Sequence, residues 1–184
     1  MIELMRNPES FCKILELTVS DLSDEDIMIR VVDELKDLFD CDRCMVYVVD
    51  KKANELYTQV DQKSGIRNFR LPKDPGFDVA SFVACTGRDL MVADVYDENE
   101  LKKIDENLVF SRVHDEMTSF RTRQLIAAPI RMGGEIIGVL QAMNKPGGFL
   151  QKDLDAMKEF SPVLALALNH ALLVKELAAC ACKA

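Results

Sequence analysis

Apolar residues in the first forty positions recur at helical spacing. Phe11, Ile14, Leu15 and Thr18 fall on one face of a short helix that Asn7 and Pro8 open, a capping residue followed by proline at the first helical position. After Ser23-Asp24-Glu25-Asp26, whose acids suit a helix start, Ile27, Met28, Val31, Val32, Leu35, Leu38 and Phe39 form a longer stripe. The pattern then changes. Residues 44–50 (CMVYVVD) are β-branched and aromatic, which predicts a strand, and 55–61 return as a second strand across a turn at 51–54. A polar loop at 62–67 leads to a short third strand at 68–71. Residues 77–85 read as a helix stopped by Gly87, and 89–93 as another short strand.

The segment 94–119 is polar, with helical pieces at 99–107 and near 114–118. A connection of that length inside a compact domain is usually a lid or a binding segment. Two apolar runs follow, 124–131 and 135–143, joined by Gly133-Gly134; this predicts a hairpin, because such a turn needs positive φ. Neither run alternates much, which predicts strands covered on both faces. A break at 144–149 leads into a helix from 151 to about 179, where Pro162 interrupts the hydrogen bonding. Between 160 and 174 that helix is apolar nearly all round, more than one core face requires. The surplus predicts a second burial surface, most simply another subunit, and so a homodimer through the terminal helices. The order predicts an α+β fold: a central antiparallel sheet with the N- and C-terminal helices packed on one face. One domain is expected, with a helical lead at 1–22, a core at 23–150 and a terminal helix at 151–184.

Composition narrows the partners. The chain has 184 residues, 48% hydrophobic and 29% charged, an ordinary globular balance. A net charge of -8 argues against a nucleic-acid or anionic-membrane surface, though not against a small anion in a local pocket. With no signal-peptide pattern and no spanning apolar run, a cytoplasmic location is expected, where the six cysteines would be thiols. Cys41-x-x-Cys44 could be redox-active or half of a zinc site, but no second cluster has suitable spacing, so buried structural thiols are expected. Cys180 and Cys182 are expected to be exposed near the chain end. Of the two histidines, His114 is expected to be solvated in the lid and His170 to pack on the helix. No Walker loop, HExxH or GxSxG element is present, and no enzyme activity is expected.

Several local sequences carry a resemblance: Asp42-Arg43-Cys44, Phe120-Arg121-Thr122-Arg123, Ala128-Pro129-Ile130, Ile137-Gly138-Val139, and Asn144-Lys145 followed by Phe149 and Asp153. Together with the element order, they make the stretch from about Ser23 to Ala178 resemble the GAF domain. This is the small-molecule sensor module of cyclic-nucleotide phosphodiesterases, cyclases and bacterial signalling proteins. The last set resembles the Asn-Lys-Phe-Asp-Glu signature of the phosphodiesterase-type subgroup, with Leu154 in place of the final Glu.

The resemblance implies a lid over a ligand pocket, a regulatory small molecule such as cyclic AMP or cyclic GMP, and an attached or recruited signalling effector. It implies ligand contacts from Asp115, Thr118 and Thr122, and from Gln141 where the family has a Glu. Phe77 is a candidate to stack on a base and Arg121 to neutralise a phosphate. Asn144, Lys145, Phe149 and Asp153 are expected to clamp the angle at which the last helix leaves the sheet. The chain departs from the family pattern at Met45, at Asp61-Gln62 and at Gly76-Phe77-Asp78-Val79. The alternative is a ligand-free GAF-type module serving dimerisation or protein docking.

Overall fold

In the computed structural model the described residues are 8–18, 20, 24–58 and 69–181. The expected caps at Asn7 and Ser23, the end of the second strand with Asp61, the loop at 62–67, Asn68, and the side chains of Cys180 and Cys182 lie outside them. Helices α1 (Pro8–Thr18) and α2 (Asp24–Phe39) precede strands β1 (Arg43–Asp50), β2 (Glu55–Thr58) and β3 (Phe69–Pro72). Next come α3 (Val79–Thr86), β4 (Leu90–Val92), α4 (Glu98–Ile104) and α5 (Val113–Thr118). The hairpin β5 (Leu125–Met132) and β6 (Glu135–Met143) leads into α6 (Gln151–Ala181). The six strands form one sheet in the order β3-β2-β1-β6-β5-β4, and every neighbouring pair is antiparallel.

Two cores result, one on each face. Alternation along a strand sends Cys44, Val46 and Val48 of β1 toward α1, α2 and α6, and Met45, Tyr47 and Val49 toward α3 and the lid. The same period places Leu140 and Ala142 of β6 on the helical side and Val139 and Met143 on the lid side. This is why neither hairpin run alternates in sequence: both faces are buried. On the helical side the rings of Phe11 and Phe160 meet at 6.2 Å, tying α1 to α6.

Pro72 is the last residue of β3, an edge strand, where its missing N–H costs no ladder bond. Asp78 caps α3 by accepting from the Ala80 N–H at 2.9 Å, and Gly87 ends it at φ 69°. Helix α6 runs through Pro162, and Ser161 Oγ donates to the carbonyl of Pro129 at 2.9 Å, fastening the helix to β5. Among the described side chains, the exposed large apolar residues of α6 are Leu166 and Leu173, each about half exposed and seven residues apart on one face.

Candidate functional site

On the lid side of the sheet, between β1, β6 and the 94–122 segment, lies a cavity of about 20 Å³. It is lined by apolar Met45, Tyr47, Phe69, Leu71, Phe110 and Met143, and by polar Asp78, Ser111, His114, Asp115, Thr122 and Gln141. That volume suits one water. A nucleotide-sized ligand needs a pocket in the range of about 300–1,000 Å³, so the lid is closed here and must move to admit one.

Of the residues expected from sequence, Asp115, Thr122 and Gln141 come together in this cavity, all buried. Asp115 is the hub of the lid. Its carboxylate accepts from the Thr122 N–H and the Thr122 hydroxyl, both at 2.7 Å, and from the Tyr96 hydroxyl at 3.0 Å. Burial, followed by the bond it donates to Asp115, pushes the Tyr96 phenol up from its ordinary range. Gln141 is paired with Met45 on β1 and Ala127 on β5. Its amide nitrogen is the buried side-chain atom left without a partner among the described residues. An unsatisfied buried donor costs on the order of 1–3 kcal/mol, and an acceptor brought into the cavity would relieve that cost.

Thr118, Phe77 and Arg121 are not brought to the cavity. Thr118 sits at the end of α5, where its hydroxyl accepts from Arg43 Nη1 at 3.3 Å and donates to the His114 carbonyl at 2.9 Å. Phe77 precedes the α3 cap and is 36% exposed, because the turn that ends in Asp78 carries its side chain outward. Arg121 is exposed and lies over the outer Tyr96 ring at 4.9 Å, beside Arg112 at 4.8 Å.

His114 is not solvated, contrary to expectation. It is buried, its ring centroid lies 4.9 Å from that of Phe69 in a T-shaped contact, and Arg43 Nη1 lies 3.2 Å from its Nδ1. Because a guanidinium only donates, that nitrogen accepts. Arg43 is itself buried and stacks 4.0 Å from the Phe120 ring centroid, so a single residue of β1 holds both ends of the 114–120 segment. Asp78, which caps α3, has a second role. Its other oxygen accepts from the Ser111 N–H at 3.0 Å and ties α3 to the lid. Burial pushes its carboxyl above the ordinary range despite these bonds. Neither Arg43 nor Asp78 carried a signal for these contacts, since each bridges residues distant in sequence. The signal for Gln141 was visible, a polar residue inside the apolar run of β6.

The residues expected to form a clamp come together where β6 ends. Asn144 adopts φ 57°, and its side chain accepts from the Arg123 N–H at 2.8 Å and donates to the Arg121 carbonyl at 2.9 Å. Lys145 pairs with Asp153 at 2.8 Å, Asp153 also accepts from the Leu150 N–H at 2.7 Å, and Phe149 is buried in the helical-side core. Gln124, which the sequence did not flag, donates to the Lys145 carbonyl at 2.8 Å and accepts from the Phe149 N–H at 3.0 Å. Thr122 in the cavity is therefore two residues from a segment bonded directly into the turn that launches α6.

Burial alone would raise the Asp153 carboxyl. The Lys145 ammonium and the Leu150 N–H outweigh it and hold it below the ordinary aspartate range. A depressed folded-state value adds stability above the unfolded value of about 3.9, and that stability is lost as pH falls through the folded value. Lys145→Met is accordingly expected to destabilise the domain by about 1 kcal/mol at neutral pH. Its gap from the wild type should narrow in urea titrations carried below about pH 4. A gap independent of pH would sink this account of the clamp.

Comparisons with known proteins agree with this geometry. The family model described as the GAF domain matches residues 24–168, and the chain belongs to that family, whose members are small-molecule sensory and regulatory domains. A probable 3',5'-cyclic phosphodiesterase, pde-5, of Caenorhabditis elegans is 30% identical over 158 residues, covering 80% of this chain and 20% of that protein. The dual 3',5'-cyclic-AMP and -GMP phosphodiesterase 11A of Takifugu rubripes is 22% identical over 178 residues, covering 90% of this chain and 19% of its own length. The chain thus spans about a fifth of the length of these curated relatives.

Among solved structures, the GAF domain of an Acinetobacter phosphoenolpyruvate-protein phosphotransferase superposes with a TM-score of 0.69 at 14% identity, over 92% of this chain and 97% of that one. Free methionine-R-sulfoxide reductase from Neisseria meningitidis gives 0.66 at 19% identity, over 91% and 90%. At these identities the likeness concerns the fold. Among the described residues, no helix is long and apolar enough to cross a membrane, and no group of His, Cys, Asp and Glu could hold a metal ion.

Proposed function

We propose that this chain is a single regulatory module, spanning 1–184, that binds a small ligand under the 94–122 lid and passes its occupancy through the Asn144–Asp153 clamp to α6. A cyclic nucleotide, cyclic AMP or cyclic GMP, is the ligand class this reading favours. The observation that carries it is the unpartnered Gln141 amide, buried beside Asp115 and Thr122 in a cavity whose wall leads directly into the clamp. Asp115 and Thr122 offer acceptors and a hydroxyl to a heterocycle and its sugar once the lid opens. The phosphodiesterase relatives support the nucleotide class.

A non-catalytic role fits the cysteines. Cys41 and Cys44 belong to the helical-side core, across the sheet from the cavity, and among the described residues that line the cavity there is no cysteine. The exposed Leu166 and Leu173 support a homodimer through α6, acting on an effector in the cytoplasm.

Thermal unfolding with and without each cyclic nucleotide tests the reading, alongside a panel of other metabolites. A ligand at about 100 times its dissociation constant adds about 2.7 kcal/mol, a shift of several degrees, and Thr122→Ala is expected to abolish it. A shift from another metabolite alone overturns the nucleotide class. Silence across the panel, with a dimer still present by light scattering, favours the second reading, a ligand-free dimerisation or docking module. That reading rests on the closed cavity, which Met45 helps to fill. A clean monomer at high micromolar concentration overturns the dimer.

A further inference from the structure

Cys41 and Cys44 flank the lid's anchor. Cys41 follows α2, Cys44 is the second residue of β1, and Arg43 stands between them with its guanidinium on His114, Thr118 and Phe120. The two sulfurs are 3.8 Å apart, in contact, and Cys41 Sγ lies 3.3 Å from the Arg43 carbonyl. Both thiols are free and buried, Cys41 at 7% exposure and Cys44 at 3%. The Asp42 N–H bonds to the carbonyls of Met143 and Asn144, so this short loop is also joined to the end of β6.

We propose that Cys41 and Cys44 form a two-electron thiol switch, closed to an intramolecular disulfide by a hydroperoxide, whose closure disturbs the Arg43 anchor of the lid. The two thiols differ as such a pair requires. The hydrogen bond with Cys44 lowers Cys41 below the ordinary thiol range, while burial pushes Cys44 up. Cys41, the less buried of the two, is the attacking sulfur and Cys44 the resolving one.

The Cys41 sulfur attacks the hydrogen-bearing oxygen of the hydroperoxide, the O–O bond breaks, and the departing oxygen takes up the proton that Cys41 gives up and leaves as an alcohol, or as water from hydrogen peroxide. Cys41 is then a sulfenic acid. The Cys44 sulfur attacks that sulfur, the S–S bond forms, the S–O bond breaks, and the Cys44 proton leaves with the oxygen as water. Two electrons pass from the pair to the peroxide. The sulfurs must approach from 3.8 Å to a bonded separation of about 2.05 Å, and the ring that closes contains Asp42 and Arg43. A guanidinium held by contacts with three partners on α5 and Phe120 does not follow such a change freely.

The thiol switch stands without a ligand, and only its effect on ligand binding rests on the sensory reading. The test therefore uses ligand-free protein. The reduced full chain is exposed to hydrogen peroxide, quenched, denatured, alkylated and mapped by mass spectrometry, and hydrogen exchange is followed on the same samples. The expected result is loss of two hydrogens mapped to Cys41–Cys44 and reversed by dithiothreitol, with exchange across 113–118 faster by about tenfold. In Cys44→Ser, dimedone should trap the sulfenic acid on Cys41. If that variant fails to fold, the wild-type map decides alone. Full alkylation of both cysteines after the exposed Cys12 and Cys85 have been oxidised overturns the proposal. A disulfide confined to other cysteines does the same, and unchanged exchange at 113–118 overturns the link to the lid.

Discussion

Gly138→Ala is expected to destabilise the domain by on the order of 3 kcal/mol, and Gly138→Val to prevent folding at ambient temperature. Gly138 sits in the centre of β6, opposite Val48 on one side and Ile130 on the other, at the point where the β5–β6 register shifts. A β-carbon there would lie 2.4 Å from the Tyr47 carbonyl oxygen, 3.0 Å from Leu168 Cδ1 and 3.4 Å from Ile130 Cδ1. The leucine and isoleucine tips can rotate. The carbonyl cannot, because it belongs to the backbone of β1 in the middle of the sheet, and moving it displaces both cores at once. The whole stability of a domain is about 5–15 kcal/mol, so this one methyl consumes a large fraction of it. Urea unfolding followed by circular dichroism checks the prediction, and an unchanged midpoint for the alanine variant would show that the strands part at little cost. The glycine serves close approach rather than positive φ, which matches the role of an interior glycine beside a bulge.

The second large effect is local. Asp115→Ala is expected to release the lid, costing about 2–4 kcal/mol and leaving the sheet intact. The substitution strips the acceptor from the Thr122 N–H, the Thr122 hydroxyl and the Tyr96 hydroxyl, and Thr122 is fully enclosed. Hydrogen exchange should rise across 94–122 and stay slow in β1, β5 and β6. Tyr96→Phe, which removes one of the three bonds, should cost about 1 kcal/mol and open the lid less. Equal protection in Asp115→Ala and wild type would mean that apolar packing by Phe110, Leu108 and Val95 holds the lid without the carboxylate. Under the proposed function, Asp115→Ala also loses any thermal shift from a cyclic nucleotide, because Asp115 lines the cavity.

The two effects differ for a physical reason. Gly138 lies where long-range strand pairing and both cores meet, so its failure is global. Asp115 lies on a short helix that depends on a few hydrogen bonds to stay down, so its failure is confined. Asp115 holds the lid together within itself, while the Arg43–His114 contact fastens it to β1 and the Asp78–Ser111 bond fastens it to the start of α3. Under the proposed function, the lid opens as a unit over its nearly filled cavity, and the Asn144 bonds to residues 121 and 123 carry that opening to α6.

Much of the frame was legible in the order of residues because it depends on local periodicity. The stripe Ile27 to Phe39 specifies α2, and Gly133-Gly134 between two apolar runs specifies the hairpin. Gly87 stops α3, and the resemblance of Asn144-Lys145, Phe149 and Asp153 to the family signature implied the clamp. These signals act over a few residues and survive without knowledge of the neighbours. The strand order β3-β2-β1-β6-β5-β4 was not visible in this way, because pairing β1 with β6 joins residues almost a hundred positions apart.

The site divides along the same line. Asp115, Thr122 and Gln141 could be named from a motif, but Phe77 and Arg121 turned outward, and Thr118 toward Arg43, because a side chain's direction in a lid is set by what the lid lands on. The burial of His114 and the reach of Asp78 to Ser111 likewise exist only once two distant segments are in contact. Sequence by itself determined the elements, the two-faced apolar hairpin and the chemistry available to the lid. Tertiary structure alone decided which polar groups meet, how far the cavity is closed and which thiol touches which, since those depend on packing between segments that local pattern does not encode.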